Sequence, residues 1–476
     1  MIYISIVLLI LIIILIINSI LSKTKRIKLS EPISEHGDKE ILRYANELSN
    51  LIRCATVSNI KEVNEREFEN FREELQKMFP NVYSKCDIKI MGEGCLIYKL
   101  EGRNKSRNIM IMSHHDVVSA EGQWKYPAFS GEIVDGRLWG RGTIDTKTPF
   151  YAELKAIEEL LESGFVPEVN VYIGSSNNEE VAGNGIPLAV EYFKSKGIEF
   201  ELVLDEGGAI INAPLPGIDI KAAMIAVHEK GRKKLKCISS TQLGHASFSK
   251  KDEGAIIRMA KFIEEINRKK PFVKKIHPEM LGMFKALNPY MKFPYRIIFS
   301  NLWLFSPILK ILLPKVNPQG EAMLGTTCSF TSISELKDNN GKVKGIEAIA
   351  FLQCINDEDL KIDIEKIKLI GKKYNIEIID MEGEYHKPTN INEDGYKYVK
   401  HIVNKVFPNV AVAPFILPAG SDSRHMTEIC NCTLRFAPID ITPQQFASIH
   451  NNDENINIEA IGKSVAFYKE LVKNYK

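Results

Sequence analysis

The stretch at residues 111–147 constrains the fold more than any other part of the chain. It opens with Ile-Met-Ser-His-His-Asp-Val-Val and closes with Trp-Gly-Arg-Gly-Thr-Ile-Asp-Thr-Lys. An apolar run typical of a buried strand leads into His114 and Asp116, and the second motif places Asp145 at a glycine-rich turn. A ligand held at a rigid strand end loses little further entropy on binding. The pattern predicts a metal site at the carboxyl edge of a sheet.

Each acidic or histidine side chain of this stretch has an ordinary role in such a site. His114 can give an imidazole nitrogen to the metal, and Asp116 can orient that ring. Asp145 supplies a carboxylate that is able to bridge two ions. His115 occupies the variable middle position of His-x-Asp.

These two motifs resemble those of the co-catalytic zinc family that contains aminoacylase, carboxypeptidase S and succinyl-diaminopimelate desuccinylase. Strands alternate with helices along the chain, which predicts an α/β fold with a mixed sheet flanked by helices. The resemblance adds an inserted, smaller α+β domain that acts as lid and dimerisation unit. It also implies two divalent metal ions, with zinc suited to the ligand mix.

The motifs divide the chain into segments. We expect a transmembrane anchor, a linker, a first part of the catalytic domain, a lid with an apolar insertion, and a second part of the catalytic domain. Their bounds are 1–22, 23–38, 39–226, 227–383 (insertion at about 271–319) and 384–476.

The first segment has the composition of a membrane span. Residues Ile2 to Leu21 are almost entirely Ile, Leu and Val, which is long enough for a single-pass transmembrane helix. A cleaved signal peptide needs a basic n-region and a small-x-small cleavage site, and neither is evident. By the positive-inside rule, basic residues after the span place the catalytic domain in the cytoplasm. Relatives in the resembled family tend instead to be secreted or vacuolar.

Two later strand ends carry adjacent carboxylates. One strand ends at Gly174 and leads into Glu179 and Glu180, and another ends in Asp205 and Glu206. An acidic pair after a strand is often a solvated turn, but at a metal edge one carboxylate can bind metal while its neighbour moves a proton. By resemblance, Glu179 is the general acid/base and Glu180 a ligand. Family members differ at the next position, so Asp205 is favoured as a ligand and Glu206 stays the alternative.

The remaining site residues rest on the resemblance. His450, before a polar turn and a final helix, matches the family's last metal-binding histidine, and His425 is its rival. His245 matches a histidine that reaches a neighbouring active site and stabilises the developing oxyanion, which implies a homodimer. The segment Gly-Ser-Asp-Ser-Arg resembles the family's Gly-Thr-Asp-Ser-Arg and places Arg424 beside the substrate.

The lid departs from the family pattern at Cys354. Relatives have there an arginine that binds the free carboxylate of the substrate through its planar fork. A thiol cannot do this, so carboxylate recognition would need another cation, such as Arg424 or Lys342. Terminal peptide bonds, N-acyl amino acids and dipeptides therefore all stay open as substrates.

The apolar insertion is the second unusual feature of the lid. Its segment from Tyr295 to Leu313 is interrupted by Arg296, Pro307 and Lys310, so a second membrane span is not expected. It resembles the branch of the family that makes and hydrolyses N-fatty-acyl amino acids, together with carboxypeptidase S. Core packing, an interface, an active-site cover for a long acyl tail and contact with a membrane surface all fit.

Composition excludes one class of partner. A formal net charge of +2 gives no argument for nucleic acid as a partner.

The motifs together predict a zinc-dependent hydrolase of amide bonds in peptides or N-acyl amino acids, with water activated by Glu179. The alternative is a membrane-tethered homologue that binds such compounds with little or no turnover, which the altered lid favours and the full ligand set disfavours.

Overall fold

The computed structural model describes residues 2–23, 37–59, 63–240, 254–316 and 318–476. Its helices are α1 (Ile2–Lys23), α2 (Asp38–Arg53), α3 (Glu65–Met78), α4 (Pro80–Lys85), α5 (Lys147–Glu162), α6 (Gly185–Ser195), α7 (Ala255–Lys269), α8 (Pro278–Leu287), α9 (Phe293–Ser300), α10 (Leu302–Val316), α11 (Pro318–Leu324), α12 (Asp357–Lys373), α13 (Asp394–Val406), α14 (Pro443–Ser448) and α15 (Ile458–Asn474). Its strands are β1 (Asp87–Met91), β2 (Cys95–Leu100), β3 (Asn104–His114), β4 (Ile133–Val134), β5 (Arg137–Trp139), β6 (Val169–Ser176), β7 (Leu202–Asp205), β8 (Ile210–Asn212), β9 (Lys221–Glu229), β10 (Gly231–Ser240), β11 (Thr327–Lys337), β12 (Val343–Cys354), β13 (Glu377–Glu384), β14 (Ala411–Leu417), β15 (Thr433–Arg435) and β16 (Asn455–Asn457).

Nine strands form the larger sheet, in the order β1-β2-β6-β3-β7-β15-β9-β14 with β8 paired to β9. Strands β6, β3, β7 and β15 run parallel to one another, and β14 runs parallel to β9. The pairs β1–β2, β2–β6 and β8–β9 are antiparallel. The predicted α/β class with a mixed sheet is therefore confirmed.

The centre of this sheet is buried on both faces. On β3, the run from Ile109 to Met112 is at most 1 % exposed at every residue, as expected where helices cover a parallel sheet. Helix α5 packs on β3 and β6, and α15 packs on α5. Burying one such side chain contributes about 1.5–3 kcal/mol, so the strand end that carries His114 is firmly held.

A second, four-stranded sheet lies between the two parts of the larger one in sequence. Its order is β11-β12-β10-β13, and all its pairs are antiparallel. Helices α7 and α12 pack on it, and its core contains Leu235, Cys237, Phe262, Ala350 and Leu352.

The apolar insertion packs on the larger sheet although it lies within the stretch expected to form the lid. Helix α8 contacts β14, and one core cluster joins Met283 and Phe284 of α8 to Met224 of β9 and Ala413 of β14. Leu309 of α10 belongs to the same cluster. The physical reason is that β14 ends the larger sheet, and α8 buries apolar surface there.

Helix α1 is long and apolar enough to cross a membrane, with a mean hydropathy of 3.3 over its most apolar window. A signal sequence has the same length and composition. Helices α9 and α10 reach comparable apolarity only as a pair, and they are bent by 107° relative to each other.

Candidate active site

The carboxyl ends of β3, β6 and β7 meet at one edge of the larger sheet. Parallel pairing sets His114 beside Ser176 at that edge. Glu179 and Glu180 lie in a short 3-10 turn after β6, and Asp205 is the last residue of β7. The strands therefore carry the imidazole and the carboxylates towards one place, as expected for ligands at the ends of parallel strands.

Four of the predicted metal ligands contact one another. Asp145 Oδ1 lies 3.0 Å from His114 Nε2, and Asp145 Oδ2 lies 3.0 Å from His450 Nε2. The same His450 nitrogen lies 3.1 Å from Glu180 Oε2. Hydrogen bonds to Asp145 and Glu180 raise the pKa of His450 to about 10. This cluster, formed by His114, Asp145, Glu180 and His450, concentrates negative charge between two imidazoles.

Asp116 organises the groups around His114. His114 Nδ1 lies 3.0 Å from the carbonyl oxygen of Asp116 and 3.4 Å from its Oδ1, which favours the tautomer that donates from Nδ1 and leaves Nε2 free as a ligand. The Asp116 carboxylate also accepts the backbone N–H groups of Glu179 and Glu180, each at 3.1 Å. Burial raises the pKa of Asp116, but the adjacent His114 brings it below its usual value.

Glu454 holds the turn that presents Asp145, a role that sequence reasoning missed. This fully buried carboxylate accepts the N–H groups of Gly142 at 3.1 Å, Ile144 at 2.7 Å and Asp145 at 3.2 Å. It also accepts Nη1 of Arg141 at 2.7 Å. Glu454 lies four residues after His450, in the polar turn before the last helix, and the sequence carries no signal of this contact.

Glu179 lines a cavity together with members of the cluster. Burial, followed by the negative charges of Asp422, Asp145 and Glu180, raises the pKa of its carboxyl to about 8, although His114 opposes the shift. A carboxyl that titrates near neutral pH is suited to accepting a proton and returning it.

Asp205 and Glu206 have different surroundings. Asp205 is 3 % exposed, and its Oδ2 accepts the backbone N–H of Ser423 at 2.9 Å. Glu206 lines the cavity, and burial, followed by the charges of Asp145 and Asp205, raises its pKa well above the usual value. Neither belongs to the tight group of His114, Asp145 and Glu180.

Arg424 and His425 lie apart from the cluster. Arg424 is 5 % exposed, its Nη1 donates to the carbonyl of Ser421 at 2.8 Å, and its Nε lies 3.6 Å from Glu384. His425 packs edge-on to the ring of His386, and burial lowers its pKa to about 4. Neither Arg424 nor His425 is among the described residues that line the cavity.

His115 and His245 complete the set of predicted histidines. His115 points into the core, where it stacks on Phe71 at 5.2 Å between centroids and meets Ser175 Oγ at 2.9 Å. Burial lowers its pKa to about 3, which keeps the ring neutral. His245 lies outside the described residues.

Cys354 lies in the core of the smaller sheet. Its side chain is fully buried, and it belongs to the apolar cluster under α7 and α12. Because side chains alternate along a strand, the neighbouring Gln353 faces the other side of β12. Lys342 is exposed in the turn at the opposite end of β12. At this strand end, Gln353 is therefore the residue that faces away from the core.

The donor set fits a metal ion. One ligand atom each from His114, Asp145 and Glu180 lie within 4.8 Å of one another. Glu180 Oε1 is buried and has no hydrogen-bond partner among the described residues, which is costly for a carboxylate oxygen unless a cation binds it. A mixture of imidazole and carboxylate ligands suits zinc and other first-row divalent metals.

An apolar cavity of about 400 Å³ adjoins the cluster. Asp145, Glu180 and His450 contribute to its lining beside Glu179. The apolar part of the lining comes from distant segments of the chain, with contributions from Ile211, Met224, Met283, Met323, Phe415, Ile439, Ile441, Phe446 and Ile449. Such walls favour an apolar group of the ligand.

Most of the chain is similar in sequence to known proteins. Residues 110–474 match the model of Peptidase family M20/M25/M40. The N-fatty-acyl-amino acid synthase/hydrolase of Xenopus tropicalis is 30% identical over 456 residues, which cover 93% of this chain and 88% of that protein. The probable carboxypeptidase S-like 2 of Dictyostelium discoideum is 30% identical over 420 residues, covering 86% and 80%.

A solved structure shares the fold. The M20 family metallo-carboxypeptidase Sso-CP2 from Sulfolobus solfataricus superimposes with a TM-score of 0.62 at 18% identity, covering 92% of this chain and 99% of that one. The resemblance inferred from the motifs is thus confirmed, and so is the prediction of an enzyme of the metallopeptidase or amidohydrolase class. The chain belongs to Peptidase family M20/M25/M40.

Proposed function

We propose that this enzyme is a zinc-dependent hydrolase of the amide bond in N-acyl amino acids or peptides that carry a large apolar group beside that bond. The observation that carries the proposal is the apolar cavity, which shares Asp145, Glu180 and His450 with the cluster. The printed names of two relatives, an N-fatty-acyl-amino acid synthase/hydrolase and a carboxypeptidase S-like protein, correspond to these two substrate classes.

The proposal includes two divalent ions held by the residues that the sequence singled out. Asp145 would contribute a carboxylate to both ions, because each of its oxygens faces a different histidine. When bound, such ions polarise the scissile carbonyl and lower the pKa of the attacking water towards neutrality. The full ligand set proposed is His114, Asp145, Glu180, His450 and either Asp205 or Glu206.

In this scheme Glu179 takes a proton from the attacking water and returns it to the leaving amine. Its pKa of about 8 supports both steps near neutral pH. Asp116 acts as a positioning residue, since it binds the backbone of Glu179 and contacts the ring of His114. His245, supplied across a homodimer, is proposed to stabilise the oxyanion.

Arg424 remains our candidate for the substrate carboxylate. Its Nε is buried and has no hydrogen-bond partner among the described residues, so it can donate to an anion such as the substrate carboxylate. The nearby Glu384 competes for the same guanidinium, which makes carboxylate recognition the first property to test.

For the location of the enzyme we propose an uncleaved anchor formed by α1, with the catalytic part in the cytoplasm. The length and hydropathy of α1 support the anchor. The basic residues that follow it in sequence support the orientation.

Hydrolysis of a matched substrate panel tests the proposed function. The panel contains N-acyl amino acids of short and long acyl chain, blocked dipeptides, and the same compounds with the free carboxylate amidated, each with added zinc or with chelator. We expect zinc-dependent cleavage that is fastest for the long acyl chain. Loss of cleavage on amidation would support Arg424, and cleavage indifferent to amidation would exclude that role. No cleavage of any member with zinc present would contradict the proposal and favour a binding protein without turnover.

A further inference from the structure

A set of polar contacts, here called the polar seam, joins α1 to the apolar insertion. Asn18 Nδ2 donates to Asn301 Oδ1 at 2.8 Å, and Asn301 Nδ2 donates to the carbonyl of Leu15 at 3.2 Å. Arg296 Nε donates to Ser19 Oγ at 3.3 Å. Asn18 and Ser19, two polar residues of the otherwise apolar α1, therefore face the insertion.

The polar seam is buried except at Asn18 and Ser22, which are half-buried. Ser19 and Asn301 are fully buried, and Arg296 is 8 % exposed. A fourth contact, from Asn288 Nδ2 to Ser22 Oγ at 2.8 Å, extends the seam to the end of α1. If α1 were removed as a leader, buried polar groups of the insertion would lose these partners. The contacts thus favour α1 as a lasting part of the folded protein.

The outward face of α10 is apolar. Its side chains recur on one face of the helix and are 36–62 % exposed, while Leu309 on the opposite face is buried in the core. A helix with apolar residues on both faces is typical of a membrane environment, not of a water-exposed surface. Lys310 and Lys315 of this helix have long stems that can reach headgroups. The exposed apolar residues are Trp303, Leu304, Ile308, Ile311 and Leu312.

The polar seam also determines how far along α1 the helices α9 and α10 lie. The segment 288–301, which contains α9, runs antiparallel to α1, because Asn288 contacts Ser22 and Asn301 contacts Leu15. Seven residues of helix correspond to about 10 Å. Interfacial helices bury their apolar face about 5–10 Å below the headgroups. With Lys23 and Lys292 at the headgroup level, α10 would enter the acyl-chain region and turn by the observed 107°.

We propose that α9 and α10 lie in the same lipid bilayer as α1, as a re-entrant wedge docked on a retained anchor by the polar seam. The partner of the exposed face of α10 is lipid, because α10 follows directly on α9, which packs along the apolar α1. The flanking helices α8 and α11 contribute Met283 and Met323 to the cavity wall, so the bilayer lies close to the cavity. The retained anchor rests on the location proposed above, and the lipid-side position for an acyl substrate rests on the proposed function.

Tryptophan fluorescence tests the wedge directly. The full chain is reconstituted into vesicles of phosphatidylcholine and phosphatidylglycerol, with either ordinary or brominated acyl chains. Trp303 is one of three tryptophans, and the other two, Trp124 and Trp139, lie in the larger-sheet part of the chain. We expect brominated lipid to quench part of the wild-type emission, and we expect that quenched part to be lost in Trp303→Phe.

The matched control is Trp124→Phe, which should keep the quenched part. Equal fractional quenching in the wild type and in Trp303→Phe would overturn the wedge, because Trp303 would then lie outside the acyl-chain region. This readout does not depend on hydrolysis, so its failure is distinguishable from failure of the proposed function.

A double-variant cycle tests the polar seam. Asn18→Leu and Asn301→Leu each keep the apolar character needed in the bilayer but remove the amide contact. We expect each to lower the Tm of the full chain in vesicles, and the double variant to lose clearly less than the sum of the two losses. Additive losses would contradict the docking, as would an intact mass of the wild-type chain that lacks residues 2–23.

Discussion

At the scale of single residues, Glu454 is the most informative side chain that the motifs did not reveal. Its carboxylate holds Arg141 and three backbone N–H groups of the turn that ends in Asp145. In Glu454→Gln the buried Arg141 loses its charged partner, which costs about 3–5 kcal/mol in comparable buried pairs. We expect a lower Tm and weaker zinc binding, measured by thermal unfolding with and without zinc. Unchanged zinc affinity would show that Glu454 does not position Asp145.

Lys230 gives the folded protein a pH-dependent stability away from the active site. Its Nζ donates to the carbonyls of Ala322 at 3.1 Å and Gly325 at 2.9 Å, and it is 3 % exposed. Burial lowers its pKa from 10.5 to about 8, although Cys354 opposes the shift. Between these two values the unfolded chain binds the proton that the folded chain has released, so the free energy of unfolding rises with pH.

The variant Lys230→Met removes this dependence. The wild type should gain stability relative to the variant from about pH 8 upwards, by at most about 3 kcal/mol near pH 10. Thermal unfolding of both chains across this range measures the difference, and Lys234→Met, which removes an exposed lysine of β10, is the matched control. A difference between wild type and Lys230→Met that is constant with pH would contradict the lowered pKa.

A site residue could be predicted from the sequence only where its motif lies within a short stretch of the chain. His114, Asp116 and Asp145 lie within one stretch, and the end of a buried strand is visible in the apolar run before it. The contact of Glu454 with Arg141 joins residues 313 apart in sequence, so no local pattern announces it. The burial of Cys354 depends on which face of β12 meets the helices, and the resemblance to the family does not show this.

At the scale of secondary-structure elements, the insertion shapes the cavity. Met323 of α11 is half-buried at its wall. Met323→Trp should shorten the space for an acyl chain. If the cavity no longer holds about two methylene groups, kcat/KM for long chains should fall roughly tenfold, because their burial is lost. Short-chain substrates should be hydrolysed as before. A series of acyl chain lengths measures this, with Met323→Leu as the volume-conserving control, and an equal loss for all lengths would place the acyl group elsewhere.

The elements themselves were largely predictable, but their packing was not. The strands and helices of the larger sheet follow apolar runs and helical spacing that are visible in the sequence. From its place in the chain, the insertion is expected to belong with the lid. Its helices instead pack on β9 and β14, since contacts between distant segments decide where an apolar helix is buried.

At the scale of the whole molecule, the order of motifs along the chain was enough to identify the fold and the family. The assembly of the site was not visible at that level. The cavity draws on β8, β9, β14 and the insertion, and α1 meets the insertion across 283 residues of sequence. These are long-range contacts whose partners no single motif specifies.

The central claim is that the cluster binds metal while Glu179 moves the proton. The most direct measurement compares the wild type with Glu179→Gln for bound zinc and for the rate of hydrolysis of a long-chain N-acyl amino acid. We predict the same zinc content and a rate lowered by about 10²–10⁴-fold. A variant that keeps both zinc and activity would contradict the account, because the proton would then be moved by another residue.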